Sequence, residues 1–293
     1  VLRSKGCPDA STIHSLIYKA YQDPDSGDVE FMLNPESDAG KAKLIVIDEV
    51  SMVGKDLAND LLSFGTRVLV LGDPFQLPPV GSEGFFINAE PDVMLTEVHR
   101  QAEENPIIRM SMDIREGRIL KPGAYGESLI VRKKDTPPDR MRELVLAADQ
   151  LLCGRNTTRQ SFNARIRVLK GLVQEETAWR PVTGDRLVCL RNNHRKSLLN
   201  GGLWSVGNVN VMRGKSDILV SSIDEPDRPP LEIKVLDEFF TGKEKELDWK
   251  KKIRTDEFTY GWALTCHKAQ GSQWNKTIIF NESHAFGAES AKW

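Results

Sequence analysis

Cysteine is scarce: Cys7, Cys153, Cys189 and Cys266 are scattered along 293 residues with no Cys-x-x-Cys pair. That spacing excludes a disulfide scaffold and a thiolate metal site, and it fits free thiols in a reducing, intracellular setting. No apolar run approaches the roughly 20 residues of a membrane-spanning helix, and no secretory signal pattern is visible. Neither sign of charge is in excess, since 40 Lys and Arg face 42 Asp and Glu for a net charge of -2. Proteins that coat duplexes are more basic, but one that grips a few nucleotides needs only a local positive groove, so this balance leaves a nucleic-acid partner open. Internal repeats and low-complexity tracts are missing. So is the pattern Gly-x-x-x-x-Gly-Lys-Ser/Thr, whose backbone cradles nucleotide phosphates.

Two short apolar runs carry most of the information present. Leu44-Ile45-Val46-Ile47 ends in Asp48-Glu49-Val50-Ser51-Met52, and Val68-Leu69-Val70-Leu71 ends in Gly72-Asp73-Pro74-Phe75-Gln76-Leu77-Pro78-Pro79. Each run is too short for a helix and stops abruptly at polar side chains. The expectation is a fully buried parallel strand that delivers those groups to the carboxyl edge of a sheet, where ligands bind in open α/β folds. An Asp-Glu pair there suits a phosphate-bound Mg2+, one carboxylate holding the metal through water and its neighbour orienting or activating the attacking water. The chemistry expected is nucleotide hydrolysis.

Around these runs the pattern predicts a helix from Ser11 to Ala20, a turn at Asp23–Asp28 and a strand at Val29–Leu33. Helices are expected at Lys55–Phe64 and Asn105–Arg118, with a short strand at Val93–Leu95 between them. A Gly- and Pro-rich loop at Lys121–Gly126, a helix at Arg140–Ala148, a strand at Gln150–Cys153 and a helix at Arg159–Leu169 follow. From Thr183 short alternating runs predict an antiparallel β unit with a tight turn at Asn200-Gly201. The charged stretch from Gly242 to Arg254 interrupts it, with Lys250, Lys251 and Lys252 read as a solvated face. Pro226-Asp227 followed by Glu232-Ile233-Lys234 imitates a metal-nuclease signature, but the spacing is too short to set acids on separate strands, and no nuclease activity is expected.

Four segments, in order, resemble helicase motifs: Asp48–Met52 motif II, Gly72–Pro79 motif III, Leu95-Thr96-Glu97-Val98-His99-Arg100-Gln101 motif IV, and Tyr260–Trp274 motif V. Together they resemble the RecD-like and Dda-like branch of superfamily 1 DNA helicases, whose members often carry the label exonuclease V alpha subunit. The resemblance implies an α/β fold of two RecA-like P-loop NTPase domains with a small SH3-like β insertion in the second. The implied boundaries are 1–100 for the first domain, with a hairpin insertion at about 22–42; 101–182 and 258–293 for the second; and 183–257 for the insertion. In the family that hairpin splits the duplex, although the reading preferred for Phe31 and Met32 is packing of the hairpin on its own domain. Because the phosphate loop (motif I) and motif VI are not found, the expectation is a fragment trimmed at both ends. Such a fragment would be inactive alone, within an active parent.

The resemblance further implies ATP and Mg2+ as nucleotide and cofactor, with Asp48 on the metal through water and Glu49 activating water. Gln76 and Arg100 would reach the γ-phosphate, completing the catalytic set. Gly72, Asp73, Gly271 and Gln273 are expected at the nucleotide; relatives often carry Glu at the position of Gln273, and an amide there makes an uncharged contact. Thr12, His14, Pro78, Pro79, Thr265, His267 and Lys268 are expected at the DNA. The partners implied are single-stranded DNA and duplex junctions, with replication or recombination proteins, for a cytoplasmic monomer of a bacterial or phage-infected cell. The function implied is ATP-dependent movement along single-stranded DNA, 5′ to 3′. The rival readings are a non-hydrolysing DNA-binding or scaffolding relic and an RNA-directed relative.

Overall fold

A computed structural model describes residues 6–22, 29–79, 84–95 and 105–289. The chain divides into two compact units. The first takes residues up to Lys121 with Tyr125–Ser128, and the second takes Pro122–Ala124 and the residues from Leu129 onward.

In the first unit, Thr12 caps a short helix, Ile13–Ile17, by accepting the Ser15 amide at 3.3 Å. The helix expected to reach Ala20 stops there. Tyr18–Gln22 is instead a strand, β1, paired antiparallel with Val29–Leu33, β2. Local sequence favours either state, and the cross-strand pairing of Tyr18 with Leu33 and Ala20 with Phe31 decides it. Tyr18 also donates its hydroxyl to Asp60, and burial followed by that bond pushes the phenol up to about 12.

Strands Ile45–Ile47 (β3) and Val68–Val70 (β4) run parallel, and the helix Lys55–Leu62 connects them. Ile45, Ile47, Val50, Val53, Ala58 and Leu61 form the core here together with Ile17 and Ala39. The expectation of fully buried strands needs correction. Ile45 and Ile47 point inward, whereas Val46 is 55% exposed and Leu69 47%. Only one face of this pair is covered among the described residues. Val93–Leu95 lies in an irregular, exposed segment and is not a strand. The helix Pro106–Arg115, capped by Asn105, belongs to the first unit, whereas the sequence put it in the second domain. A small hairpin of Gly123–Tyr125 (β5) and Ser128–Ile130 (β6) follows it.

The second unit contains two sheets. In the first, Gln150–Cys153 (β7) is flanked by Ala263–Thr265 (β13) and Thr277–Ile279 (β14), all parallel. The helix Asn156–Leu169 packs on it and inserts Ile166 beside Leu151 and Ala263. The second sheet is antiparallel. Its strands, in spatial order, are Leu231–Leu236 (β11), Lys215–Ser222 (β10), Leu203–Met212 (β9), Arg186–Cys189 (β8) and Phe258–Tyr260 (β12). Phe258–Tyr260 thus closes this sheet rather than opening the returning segment. Alternation works here as expected: Ile218, Val220, Ile233 and Val235 face the core with Trp204 and Phe258, while Glu232 and Lys234 face outward. Each such large apolar side chain contributes about 1.5–3 kcal/mol by leaving water. Gly214, at φ +77°, turns the β9-β10 hairpin. The tripeptide Gly214-Lys215-Ser216 therefore belongs to a hairpin and has no glycine five residues before it.

A buried ion pair joins the two sheets. Arg167 on the helix and Asp185 before β8 bond through Nε–Oδ1 at 2.8 Å and Nη2–Oδ2 at 2.9 Å. The guanidinium also donates to the carbonyls of Ala178 and Arg180 and lies 4.2 Å over the Tyr260 ring.

Candidate nucleotide and nucleic-acid site

The carboxyl ends of β3 and β4 bring together the segments after each strand. The Leu71 amide donates to the Ile47 carbonyl at 2.8 Å, and the Val50 amide donates to the Leu71 carbonyl at 3.2 Å, which hooks the two ends together. Gly72 passes so close that a Cβ there would stand 2.6 Å from Val50 Cγ1. Asp48 is exposed and accepts the Glu49 amide at 3.0 Å. Glu49 is also exposed and sits in the left-handed region at φ +56°, ψ +48°, a conformation costing a side-chain-bearing residue about 1–2 kcal/mol. Ser51, fully buried on the following 3-10 turn, donates its hydroxyl to Gln76 Oε1 at 2.9 Å. That bond commits the carbonyl end of the amide and leaves the NH2 of Gln76 as a donor toward a ligand oxygen.

Asp73 is engaged within the protein. It accepts the Phe75 amide at 3.0 Å and pairs with Arg115, whose guanidinium lies 5.0 Å over the Phe75 ring. Pro78 and Pro79 are half-buried on the same loop. His14 is exposed with its ring 5.5 Å from that of Tyr18, close to the cap residue Thr12. Arg100 lies outside the described residues. Phe31 and Met32, for which packing was preferred, are 68% and 54% exposed, so the hairpin carries them outward.

The donors fit Mg2+ held mainly by nucleotide phosphates and water: one exposed carboxylate, Asp48, stands at the strand end with Glu49 beside it. No group of three or more His, Cys, Asp or Glu able to hold a metal occurs among the described residues.

In the second unit, motif V follows β13. Thr265 caps the turn Cys266–Ala269, accepting the Lys268 amide at 3.4 Å, and Lys268 Nζ donates to the Asn200 side chain from the antiparallel sheet's turn. Burial chiefly, and the guanidinium of Arg159 as well, push the Lys268 ammonium below its ordinary value against a pull from Cys189. His267 is half-buried; Gly271 (φ +76°) and Gln273 are exposed on the next turn.

Sequence reasoning missed Glu282. It is 3% exposed and accepts the amides of Gly154 and Arg155 at 2.9 and 3.2 Å, Arg155 Nε at 2.7 Å and Thr158 Oγ1 at 2.9 Å. Burial raises its pKa, but the bonds from Arg155, Thr158 and the backbone outweigh burial and hold it below the usual carboxylate range. It fills the amino end of the helix Asn156–Leu169, and no local pattern marks a carboxylate 124 residues distant from Thr158 as that cap.

The profile of a family described as AAA domain matches residues 1–135. A curated relative, the ATP-dependent RecD2 DNA helicase of Deinococcus radiodurans, is 28% identical over 267 residues, covering 82% of this chain and 33% of its own length. In sequence, the chain is thus similar to a RecD-like DNA helicase. The chain spans about a third of this curated relative's length. Among solved structures, the Bacteroides Pif1 helicase crystallised with ADP-AlF3 and single-stranded DNA superimposes with a TM-score of 0.50 at 17% identity. The superposition covers 94% of this chain and 73% of the Pif1 chain. Its fold is the α/β, RecA-like one that the two parallel strand layers express here.

Proposed function

We propose that the protein containing this chain is an ATP-dependent DNA helicase that couples hydrolysis to movement along single-stranded DNA, 5′ to 3′ as in the branch it resembles. The observation that carries this reading is the Ser51–Gln76 bond, which ties the segment bearing Asp48 and Glu49 to the amide that senses the nucleotide. Asp48 holds the Mg2+ shell, Glu49 orients and deprotonates water, and Gln76 reports loss of the γ-phosphate. Mg2+, when bound, neutralises charge on the phosphates. Arg100 joins them as the γ-phosphate arginine, and Gly72, Gly271 and Gln273 line the nucleotide. Thr12, His14, Pro78, Pro79, Thr265, His267 and Lys268 contact the strand. Residues 183–260 act as the SH3-like insertion, residues up to Lys121 as the first motor domain, and the other residues from Leu129 onward as the second.

The relative's printed name and the Pif1 complex with single-stranded DNA support the same reading. Among the described residues no helix is long and apolar enough to cross a membrane, and we place the protein in the cytoplasm as a monomer. The test is ATP hydrolysis by the whole protein with and without single-stranded DNA and RNA. Stimulation by DNA, lost in Glu49→Gln while nucleotide binding persists, is expected. A folded protein that binds DNA but hydrolyses nothing would establish the non-hydrolysing relic, and stimulation by RNA alone would establish the RNA-directed relative.

A further inference from the structure

We propose that Arg159, Lys268 and Asn200 form a subsite for one backbone phosphate of the bound strand, at the carboxyl edge of β13. This rests on the strand-binding reading above and adds to motif V two residues from elsewhere in the fold. Asn163 fixes the geometry. Its side chain donates to the Ala263 carbonyl at 3.0 Å and accepts the Ala263 amide at 3.0 Å, clamping the helix Asn156–Leu169 to the start of β13. Arg159 lies one turn earlier on the same helix face, roughly 5–6 Å toward the carboxyl end of β13. Thr265 lies about 6.6 Å along the strand in that direction. Arg159 is thereby delivered beside the turn that carries Lys268.

Neither cation meets a carboxylate within ion-pair distance among the described residues. Lys268 reaches the neutral amide of Asn200, and Arg159 Nε donates to Asn156 Oδ1 at 3.2 Å. Glu244 acts on Arg159 from beyond that distance. Arg167 and Lys196 of this unit have Asp185 and Asp256, whereas among the described residues Arg186, like Arg159, has no ion pair and donates to the Asp149 carbonyl. Burial lowers the pKa of both Arg159 and Lys268, and the guanidinium of Arg159 lowers that of Lys268 further. Two half-buried cations bound only to amide oxygens suit a visiting anion. A guanidinium fork beside an ammonium matches a phosphate.

The amides of Gly154 and Arg155, just before this helix, are already taken by Glu282, and the side chains of Arg159 and Lys268 are the receptor. Asn200 is held in place: its amide donates to Asn192 Oδ1 at 2.7 Å, and Gly201 turns at φ +91°. Its role is to position Lys268.

The test uses the full chain and a fluorescent oligothymidylate of roughly 16 nucleotides, titrated over a salt series. Losing one phosphate contact should reduce the slope of log affinity against log salt by about 0.7 and weaken binding about tenfold at low salt. Arg159→Gln is expected to do both without lowering the melting temperature, and Arg159→Lys to retain the slope. Asn200→Ala should weaken binding with the slope unchanged, since it removes no charge. An unchanged slope in Arg159→Gln, with the strand still bound, would overturn the subsite and leave the helicase reading intact. Weakened binding of fluorescent ADP with strand binding intact would overturn it in favour of a nucleotide contact. Wild-type chain that binds no strand would overturn the strand-binding reading itself.

Discussion

Replacing Asp185 by Ala should unfold the second unit's junction more than any surface change. Asp185 and Arg167 are 0% and 1% exposed, so the substitution leaves a guanidinium buried without its counter-charge. Breaking one side of a buried pair costs about 3–5 kcal/mol. The Val182 amide, which donates to Asp185 Oδ2 at 2.9 Å, also loses its acceptor. Against this, the carbonyls of Ala178 and Arg180 and the Tyr260 ring keep part of the guanidinium's environment. The balance is a loss of about 4 kcal/mol. With a urea dependence of about 2 kcal/mol per molar, the midpoint should fall by about 2 M. Asp185→Asn should do almost as badly, because its NH2 would face one of the donors that the carboxylate now accepts. Urea unfolding followed by tryptophan fluorescence measures this, with Trp179 and Trp204 in or against the affected core. A midpoint shift below about 0.5 M would refute the argument that the pair is indispensable once buried.

Two further outcomes follow from the geometry. Glu282 has a folded pKa below its unfolded value, so its contribution to stability is present above the unfolded value and disappears as pH falls through the folded one. Stability of Glu282→Gln, followed by thermal melting between about pH 5 and pH 3, should therefore depend less on pH than that of the wild type, and equal dependence would contradict the cap. Phe31→Ala, removing an exposed ring, should change stability by less than about 0.5 kcal/mol. In the whole protein it should slow unwinding of a forked duplex several-fold while ATP hydrolysis on single strands persists; normal unwinding would return Phe31 to the role of a surface residue.

Much of this was legible in the sequence where one principle acted alone. The strand at Gln150–Cys153 and the helices around Lys55–Leu62 and Asn156–Leu169 follow from apolar period and breakers, and the alternating β unit follows from pleat geometry. Tyr18–Gln22 was misread because pairing with β2 overrides a local pattern that is equally helical. Val46 and Leu69 were misread because an apolar strand implies a covered second face only if another element supplies it. Ser51–Gln76 had no signature: both residues lie inside recognised segments, but their contact is tertiary. Glu282 and Asp185 escaped for the same reason, as carboxylates whose partners are distant in sequence.

Under the role proposed for Glu49, its left-handed backbone sets robustness against chemistry. Glycine there would relieve roughly 1–2 kcal/mol of steric cost and return part of that as freedom of the unfolded chain, so a chain selected for stability alone would prefer it. The glutamate is held in place by its surroundings: Asp48 binds its amide, and the Leu71 carbonyl fixes the next residue. If Glu49 activates water as proposed, the Glu49→Gly variant would thus be a better-folded and chemically silent protein. Thermostability screens on this chain should exclude that position, because they will select for the loss of its carboxylate.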